Sequence, residues 1–153
     1  MEETIDFDKL FREAKGNPVV IKGKSLIRIV RFKMPSKKMT FKFCFMETNS
    51  EWKQGFILKT KGAFKIDKLP SINDAIVFWE HTAPKNFEVS IDSKDGMLLL
   101  YNVWDLGDGV TQAWHNGAAM EVKDIDKNTR LYNCNDGHPD FEFNDLIFSM
   151  TWD

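Results

Sequence analysis

Three phenylalanines at every second position, Phe41, Phe43 and Phe45, constrain this chain more than any other feature of its sequence. Side chains two residues apart in a β-strand point to the same face, and phenylalanine is a residue that strands favour. Lys42 and Cys44 between them, and Thr40 just before them, would face the other way. The segment Met39–Met46 is therefore predicted to be a strand with one face in the core.

Most of the chain after Pro18 has the same strand-length pattern, in runs separated by turn residues such as Asp-Gly and Asn-Gly. Val19–Met34 alternates imperfectly, which predicts either a strand with a bulge or two short strands. Further strands are predicted over Gly55–Thr60, Ala75–Thr82, Phe87–Ile91, Met97–Trp104, Ala118–Val122, Arg130–Cys134 and Leu146–Trp152.

A single helix is predicted near the start of the chain. Ile5, Phe7, Leu10 and Phe11 have helical spacing, and the sequence Gly-Asn-Pro over 16–18 would end the helix. We therefore expect a helix over about 5–15 and strands from about 19 onward. Strands without intervening helices predict an all-β fold, and 153 residues suit one domain spanning 1–153. The expected architecture is a two-sheet sandwich, jelly-roll or lectin-like, with one N-terminal helix.

The charges are distributed unevenly along the chain. Residues 1–85 carry 17 basic and 10 acidic side chains, whereas residues 86–153 carry 4 and 13. Between Glu13 and Glu47 there are nine basic residues and no acidic one. Two interpretations stay open: the halves of one domain attract each other, or the basic face binds an anionic partner.

Several classes of protein are not expected. The acidic start Met1–Asp8 lacks the pattern of a secretory signal, and no apolar run approaches the roughly 20 residues of a membrane helix. We therefore expect a cytoplasmic protein without a membrane partner, and two buried free thiols, Cys44 and Cys134. Nucleic acid is not an expected partner, because the pI is about 5.9 and the aromatic residues among the lysines alternate toward the core.

The acidic residues near the C-terminus predict a possible calcium site. Calcium prefers six to eight oxygen ligands, and one loop region offers five oxygen-bearing side chains within ten residues. The candidate metal ligands are Asp136, Asp140, Glu142, Asn144 and Asp145. The alternative is turn chemistry, in which Asn and Asp side chains bond to nearby backbone groups.

The stretch Asp140–Phe148, D-F-E-F-N-D-L-I-F, resembles the D-x-D-[FY]-N-D-[LM]-[VI]-F pattern that ends many bacterial β-sandwich domains. Glu142 replaces the second aspartate of that pattern. The resemblance implies a β-sandwich in which the acidic loop is associated with calcium. The segment Tyr101–Trp152 also looks like small uncharacterised microbial proteins and, more loosely, like lectin-like sandwiches.

A ligand site is predicted where aromatic and polar residues meet in the loops of the last third of the chain. Sugars stack on tryptophan and bond to Asp, Asn and His, so a cleft of such residues would suit a polar ring. The candidate ligand-binding residues are Asp105, Trp114, His115, Asn116 and Asp136. The alternative places Trp114 as a loop anchor.

Catalysis is not expected. No nucleophile elbow or zinc-protease motif is present, and a carboxylate pair such as Asp105 and Asp136 arises readily in acidic loops. The sequence favours a non-catalytic module that binds a carbohydrate or similar polar ligand, with calcium as a possible aid. The alternative is an intracellular protein-interaction or immunity-type protein, in which a charged face meets an oppositely charged partner.

Overall fold

The computed structural model describes residues 6–114, 117–138 and 141–153. Its one helix, α1, spans Phe7–Ala14 within the predicted range. The Asp6 side chain caps the helix by accepting a hydrogen bond of 3.1 Å from the Lys9 N–H. Lys15 takes a left-handed conformation at φ 52°, which ends the helix. No helix in the described ranges has the length and apolarity needed to cross a membrane.

Within the described ranges, twelve strands follow the helix. They are β1 (Val19–Ile21), β2 (Lys24–Ile27), β3 (Val30–Lys33), β4 (Lys38–Thr48), β5 (Lys53–Lys65), β6 (Ile72–Trp79), β7 (Asn86–Ser93), β8 (Met97–Asp105), β9 (Thr111–Gln112), β10 (Ala119–Asp126), β11 (Thr129–Asn135) and β12 (Leu146–Trp152). The predicted all-β class with one N-terminal helix is confirmed. The segment predicted over Val19–Met34 forms three short strands.

Every strand pairing is antiparallel, and hydrogen bonds join all twelve strands into one sheet. The order is β1-β2-β10-β11-β12-β4-β7-β5-β8-β3, with β6 added beside β5 and β9 beside β8. The sheet folds over, so that side chains of β4 and β12 pack against side chains of β5. The two layers of this sandwich-like arrangement are therefore continuous, and the connection between them is made by β5.

Strand β5 belongs to both layers because its two halves pair with different strands. Residues Lys53–Lys59 pair with β8, whereas Gly62–Lys65 pair with β7. At the crossing, a Cβ on Gly62 would lie 1.8 Å from the carbonyl oxygen of Asp92. Only glycine permits this approach, so Gly62 is required where β5 changes layers.

The core is built largely from aromatic rings that meet between the layers. Phe41, Phe43 and Phe45 are buried as predicted, at 0%, 2% and 4% exposure. The Phe56 ring of β5 lies 5.1 Å from Phe43 and 4.2 Å from Phe148 of β12, measured between centroids. These distances suit favourable aromatic pairing in addition to burial of apolar area.

A second, smaller core lies under the helix. The buried side chains Phe7 and Phe11 of α1 pack with Leu26, Ala119 and Phe143. The helix therefore covers the β2–β10 part of the sheet and the segment before β12. Cys44 and Cys134 are both free thiols, and Cys134 is fully buried while Cys44 is half-buried.

Phe43→Ala should lower the free energy of unfolding by about 3–5 kcal/mol, because it removes a buried ring and leaves a cavity. Lys42→Ala, on the same strand but facing solvent, should change it by less than about 0.5 kcal/mol. Urea denaturation of both variants measures the difference. Equal stability of Phe43→Ala and the wild type would contradict the position of Phe43 between the layers.

Candidate functional site

Asp136, predicted as both a sugar and a metal ligand, lies inside the fold at 0% exposure. Its carboxylate accepts hydrogen bonds from Ser50 Oγ at 2.6 Å, Gln54 Nε2 at 2.9 Å and the His138 N–H at 3.0 Å. A buried carboxylate is stable when donors surround it in this way. Asp136 therefore joins the β11–β12 connection to the beginning of β5, and it does not face solvent.

Neighbouring polar residues continue this buried network. The Asp136 N–H donates to Asp145 Oδ2 at 3.0 Å, and the Phe143 N–H donates to Asn135 Oδ1 at 2.8 Å. Asn102 Nδ2 donates to the carbonyl of Asn135 at 2.7 Å. Of the Asp136 contacts, the bond from the His138 N–H is local turn chemistry, whereas these longer-range bonds fix the path of the chain between β11 and β12.

The five predicted metal ligands do not form a metal-binding group in the described residues. Glu142 is exposed, whereas Asp136 and Asp145 are buried. Asn144 is half-buried, and Asp140 lies outside the described residues. Across 6–114, 117–138 and 141–153, no three His, Cys, Asp or Glu side chains are placed to hold a metal ion. Calcium binding therefore stays a prediction, and Asp140 is the one predicted ligand that lies outside the described residues.

If the loop binds calcium, EDTA should lower the melting temperature and added calcium should restore it, because a ligand of the native state stabilises that state. Asp140→Asn should abolish this response, and Asp108→Asn, in a neighbouring loop, should leave it intact. Differential scanning calorimetry with and without calcium measures the effect. Superimposable melting curves of the wild type would contradict calcium binding.

Asp105 stabilises the hairpin between β8 and β9. Its Oδ1 accepts hydrogen bonds from the N–H groups of Gly107 at 2.7 Å and Gly109 at 3.2 Å. The bond from Gly107, and then that from Gly109, lower the pKa of the Asp105 carboxyl below its ordinary value. Asp105 therefore acts in a turn, although its side chain is partly exposed.

The loops of Asp105 and Asp136 lie near the same end of the fold. Trp104 is fully buried, and a Cβ on Gly137 would lie 3.1 Å from its indole Cζ2. Trp104 also pairs with Gln54, the residue that donates to the Asp136 carboxylate.

Trp114 is placed apart from both aspartates. Its ring lies 4.7 Å from the Tyr101 ring and 5.8 Å from Lys59 Nζ, near the middle of β8. None of its contacts within the described ranges involves Asp105 or Asp136. His115 and Asn116 lie outside the described residues. The described members of the predicted ligand site are therefore not brought together in one cleft.

Trp114 instead lines a different cavity, which we call the helix cleft. This cleft has a volume of about 280 Å³ and lies between α1, the turn after it, the segment joining β2 to β3, and Trp114. It is lined by Asp8, Phe11, Arg12, Gly16, Asn17, Arg28, Ile29, Arg31 and Trp114.

Arg28 holds the walls of the helix cleft together. Its guanidinium contacts Asp8 Oδ1 at 2.8 Å and donates to the carbonyl oxygens of Trp114 and Ala118, each at 2.8 Å. The same group lies over the Phe11 ring, 4.7 Å from its centroid. The planar fork of arginine allows several directed hydrogen bonds at once. One side chain thus fixes α1 and the Trp114 loop to the β2–β3 segment.

A second cavity, which we call the β6 groove, lies along β6 and is mainly apolar. It has a volume of about 860 Å³ and includes Ile66, Leu69, Ile72, Ile76, Val77 and Phe87 among its lining residues. Leu69 and Ile72 are exposed. Strand β6 pairs with β5 on one side, and no strand in the described ranges pairs with its other edge.

The sequence did not predict Arg12, Arg28 and Arg31 as site residues. Their only signal was the run of nine basic residues between Glu13 and Glu47 together with Arg12 just before it. That run carries no spacing that would connect it to Trp114, which lies more than 80 residues further along the chain.

Comparison of the chain with protein-family models, with curated proteins and with solved structures finds no match.

Proposed function

We propose that this protein is a non-catalytic binding module that holds a small polar ring ligand, such as a carbohydrate, in the helix cleft. The observation that carries the proposal is Trp114, whose side chain lines the cleft and is 44% exposed. Indole rings provide a flat apolar surface on which the apolar face of a sugar ring stacks. A partly exposed tryptophan in a concave site is the arrangement that such stacking requires.

The backbone of Trp114 supports this role. Its φ angle is 62°, a left-handed conformation that is uncommon for a bulky aromatic residue. Such a conformation costs about 1–3 kcal/mol and persists only where its surroundings hold it. Here Arg28 binds the Trp114 carbonyl, and Tyr101 packs against the ring. The indole is thus held in place before a ligand arrives.

The polar residues around Trp114 suit recognition more than catalysis. Asn17 offers an amide, and Arg12 and Arg31 offer hydrogen-bond donors for ring hydroxyl groups. Asp8 is the one carboxylate in the described lining of the cleft, and it is paired with Arg28. Glycoside hydrolysis ordinarily uses two carboxylates, so this lining favours binding without bond cleavage.

Trp114→Ala should weaken carbohydrate binding about tenfold or more, because it removes the stacking surface. Trp52→Ala is the matched control, since Trp52 stacks on His138 with 3.9 Å between ring centroids and does not line the cleft. A glycan array identifies a ligand, and isothermal titration calorimetry measures its affinity for each variant. Equal affinities of Trp114→Ala and wild type, or an array without any bound glycan, would contradict the proposal.

A protein-interaction module is the second candidate, and the free edge of β6 is the observation that favours it. The Glu80 N–H donates to the Gln54 carbonyl at 2.9 Å, continuing the β5–β6 register. Because antiparallel pairs alternate, Ile76 and Phe78 direct their backbone groups toward β5, and Val77 directs its own away. The proposed occupant is an extended peptide that adds to this edge and places alternate apolar side chains in the β6 groove.

Val77→Pro should abolish binding of such a peptide, because it removes the N–H at the free edge. Val77→Ala keeps that N–H and should retain most of the binding. Peptides selected from a random displayed library provide the probe, and fluorescence anisotropy measures their affinity for each variant. Selected peptides without alternating apolar residues, or with equal affinity for Val77→Pro, would contradict this candidate.

A further inference from the structure

We infer that the ligand of the helix cleft is anionic, and that Arg12 and Arg31 bind its negative group. This inference rests on the function proposed above and names the chemical class of the ligand. The class is a ring that carries a carboxylate, a phosphate or a sulfate.

Arg12 and Arg31 are exposed cations without an ion-pair partner in the described part of the chain. Other cations do have such partners: Arg28, Lys24, Lys38 and Arg130 each contact a carboxylate. Arg12 and Arg31 line the same cleft, yet none of the described ion pairs or hydrogen bonds uses them. Two guanidinium groups at one cavity would repel each other less with an anion between them.

The described lining of the cleft is positively charged. It contains three arginines and one aspartate, and that aspartate is paired with Arg28. No carboxylate of the described lining is ion-paired with Arg12 or Arg31. Lys59, which lies outside this lining, places its ammonium group 5.8 Å from the centroid of the Trp114 ring.

Arg12 and Arg31 both lie near the C-terminal end of α1. Arg12 is in the last turn of the helix, and a Cβ on Gly16, just after the helix, would lie 3.9 Å from an NH2 nitrogen of Arg31. Both side chains line the cleft. Phe11, Ile29 and Trp114 supply an apolar lining nearby. Charged hydrogen bonds are stronger beside apolar surface than in open water, and the arginine fork matches carboxylate and phosphate oxygens.

The test compares a double variant, Arg12→Gln with Arg31→Gln, with a control of equal charge change, Lys38→Gln with Lys42→Gln. Lys38 and Lys42 lie on β4 outside the cleft and face Asp92 and Glu88. The probes are a glucuronate disaccharide, glucose 6-phosphate, a sulfated disaccharide and neutral maltose, measured by isothermal titration calorimetry.

We expect at least one anionic probe to bind more tightly than maltose. The arginine double variant should lose about tenfold or more of that affinity, and the lysine double variant less than about threefold. Raising the salt concentration should weaken anionic binding to the wild type, because it screens the charges. If the arginine double variant fails to fold, the single variants Arg12→Gln and Arg31→Gln, each compared with Lys38→Gln, answer the same question, because Arg12 and Arg31 are both exposed.

Three results would overturn the inference. One is binding of maltose as tight as that of every anionic probe. Another is an equal loss of affinity for the anionic probe in the two double variants, which would indicate attraction to the whole basic surface. The third is binding that does not depend on salt. If Trp114→Ala still abolishes binding in those cases, the proposed function stands and only the anionic class fails. If neither glycans nor these probes bind, both proposals fail.

Discussion

The passage of β5 from one layer to the other is the constraint on which the rest of the fold depends. At Gly62 the backbone of β5 comes so close to the Asp92 carbonyl that no side chain fits. This approach allows the first half of β5 to pair with β8 and the second half with β7. Because both layers share this strand, Phe56 is carried to a position from which it meets Phe43 and Phe148. The aromatic core and the folding of the sheet into two layers therefore both depend on the crossing of β5 at Gly62.

The helix cleft depends on a different kind of contact. The core is held by apolar packing, whereas the cleft is held by the directed hydrogen bonds of Arg28 to Asp8 and to the Trp114 carbonyl. Directed bonds fix angles as well as distances, which suits a site that has to present an indole ring in one orientation. The pair is partly exposed, with the Asp8 side chain at 43% exposure, so water screens its charge and the two carbonyl contacts of Arg28 share in holding the walls together. The arrangement thus combines a rigid scaffold with a cleft whose geometry rests on one side chain.

The sequence predicted those features that depend on local periodicity. The alternation at Phe41, Phe43 and Phe45 identified a strand with one buried face, and the helical spacing before Gly16 identified α1. It could not predict that Asp136 is buried, because the donors Ser50 and Gln54 lie more than 80 residues earlier in the chain. Loop carboxylates look alike in sequence whether they face solvent or an internal network. The helix cleft was missed for the same reason, since its walls meet only in the folded chain.

Arg28 couples the two walls of the cleft, because it contacts α1 on one side and Trp114 on the other. Because one guanidinium group contacts both Asp8 of α1 and the Trp114 carbonyl, the free energy of docking the helix depends on the position of Trp114. Such coupling is reciprocal, so an occupant that binds the Trp114 ring also opposes detachment of the helix. Exchange of amide protons in α1 with solvent deuterium would then report whether the cleft is filled. For the same reason, a substitution that weakens the docking of α1 from the side away from the cleft should lower the affinity for the occupant without contacting it.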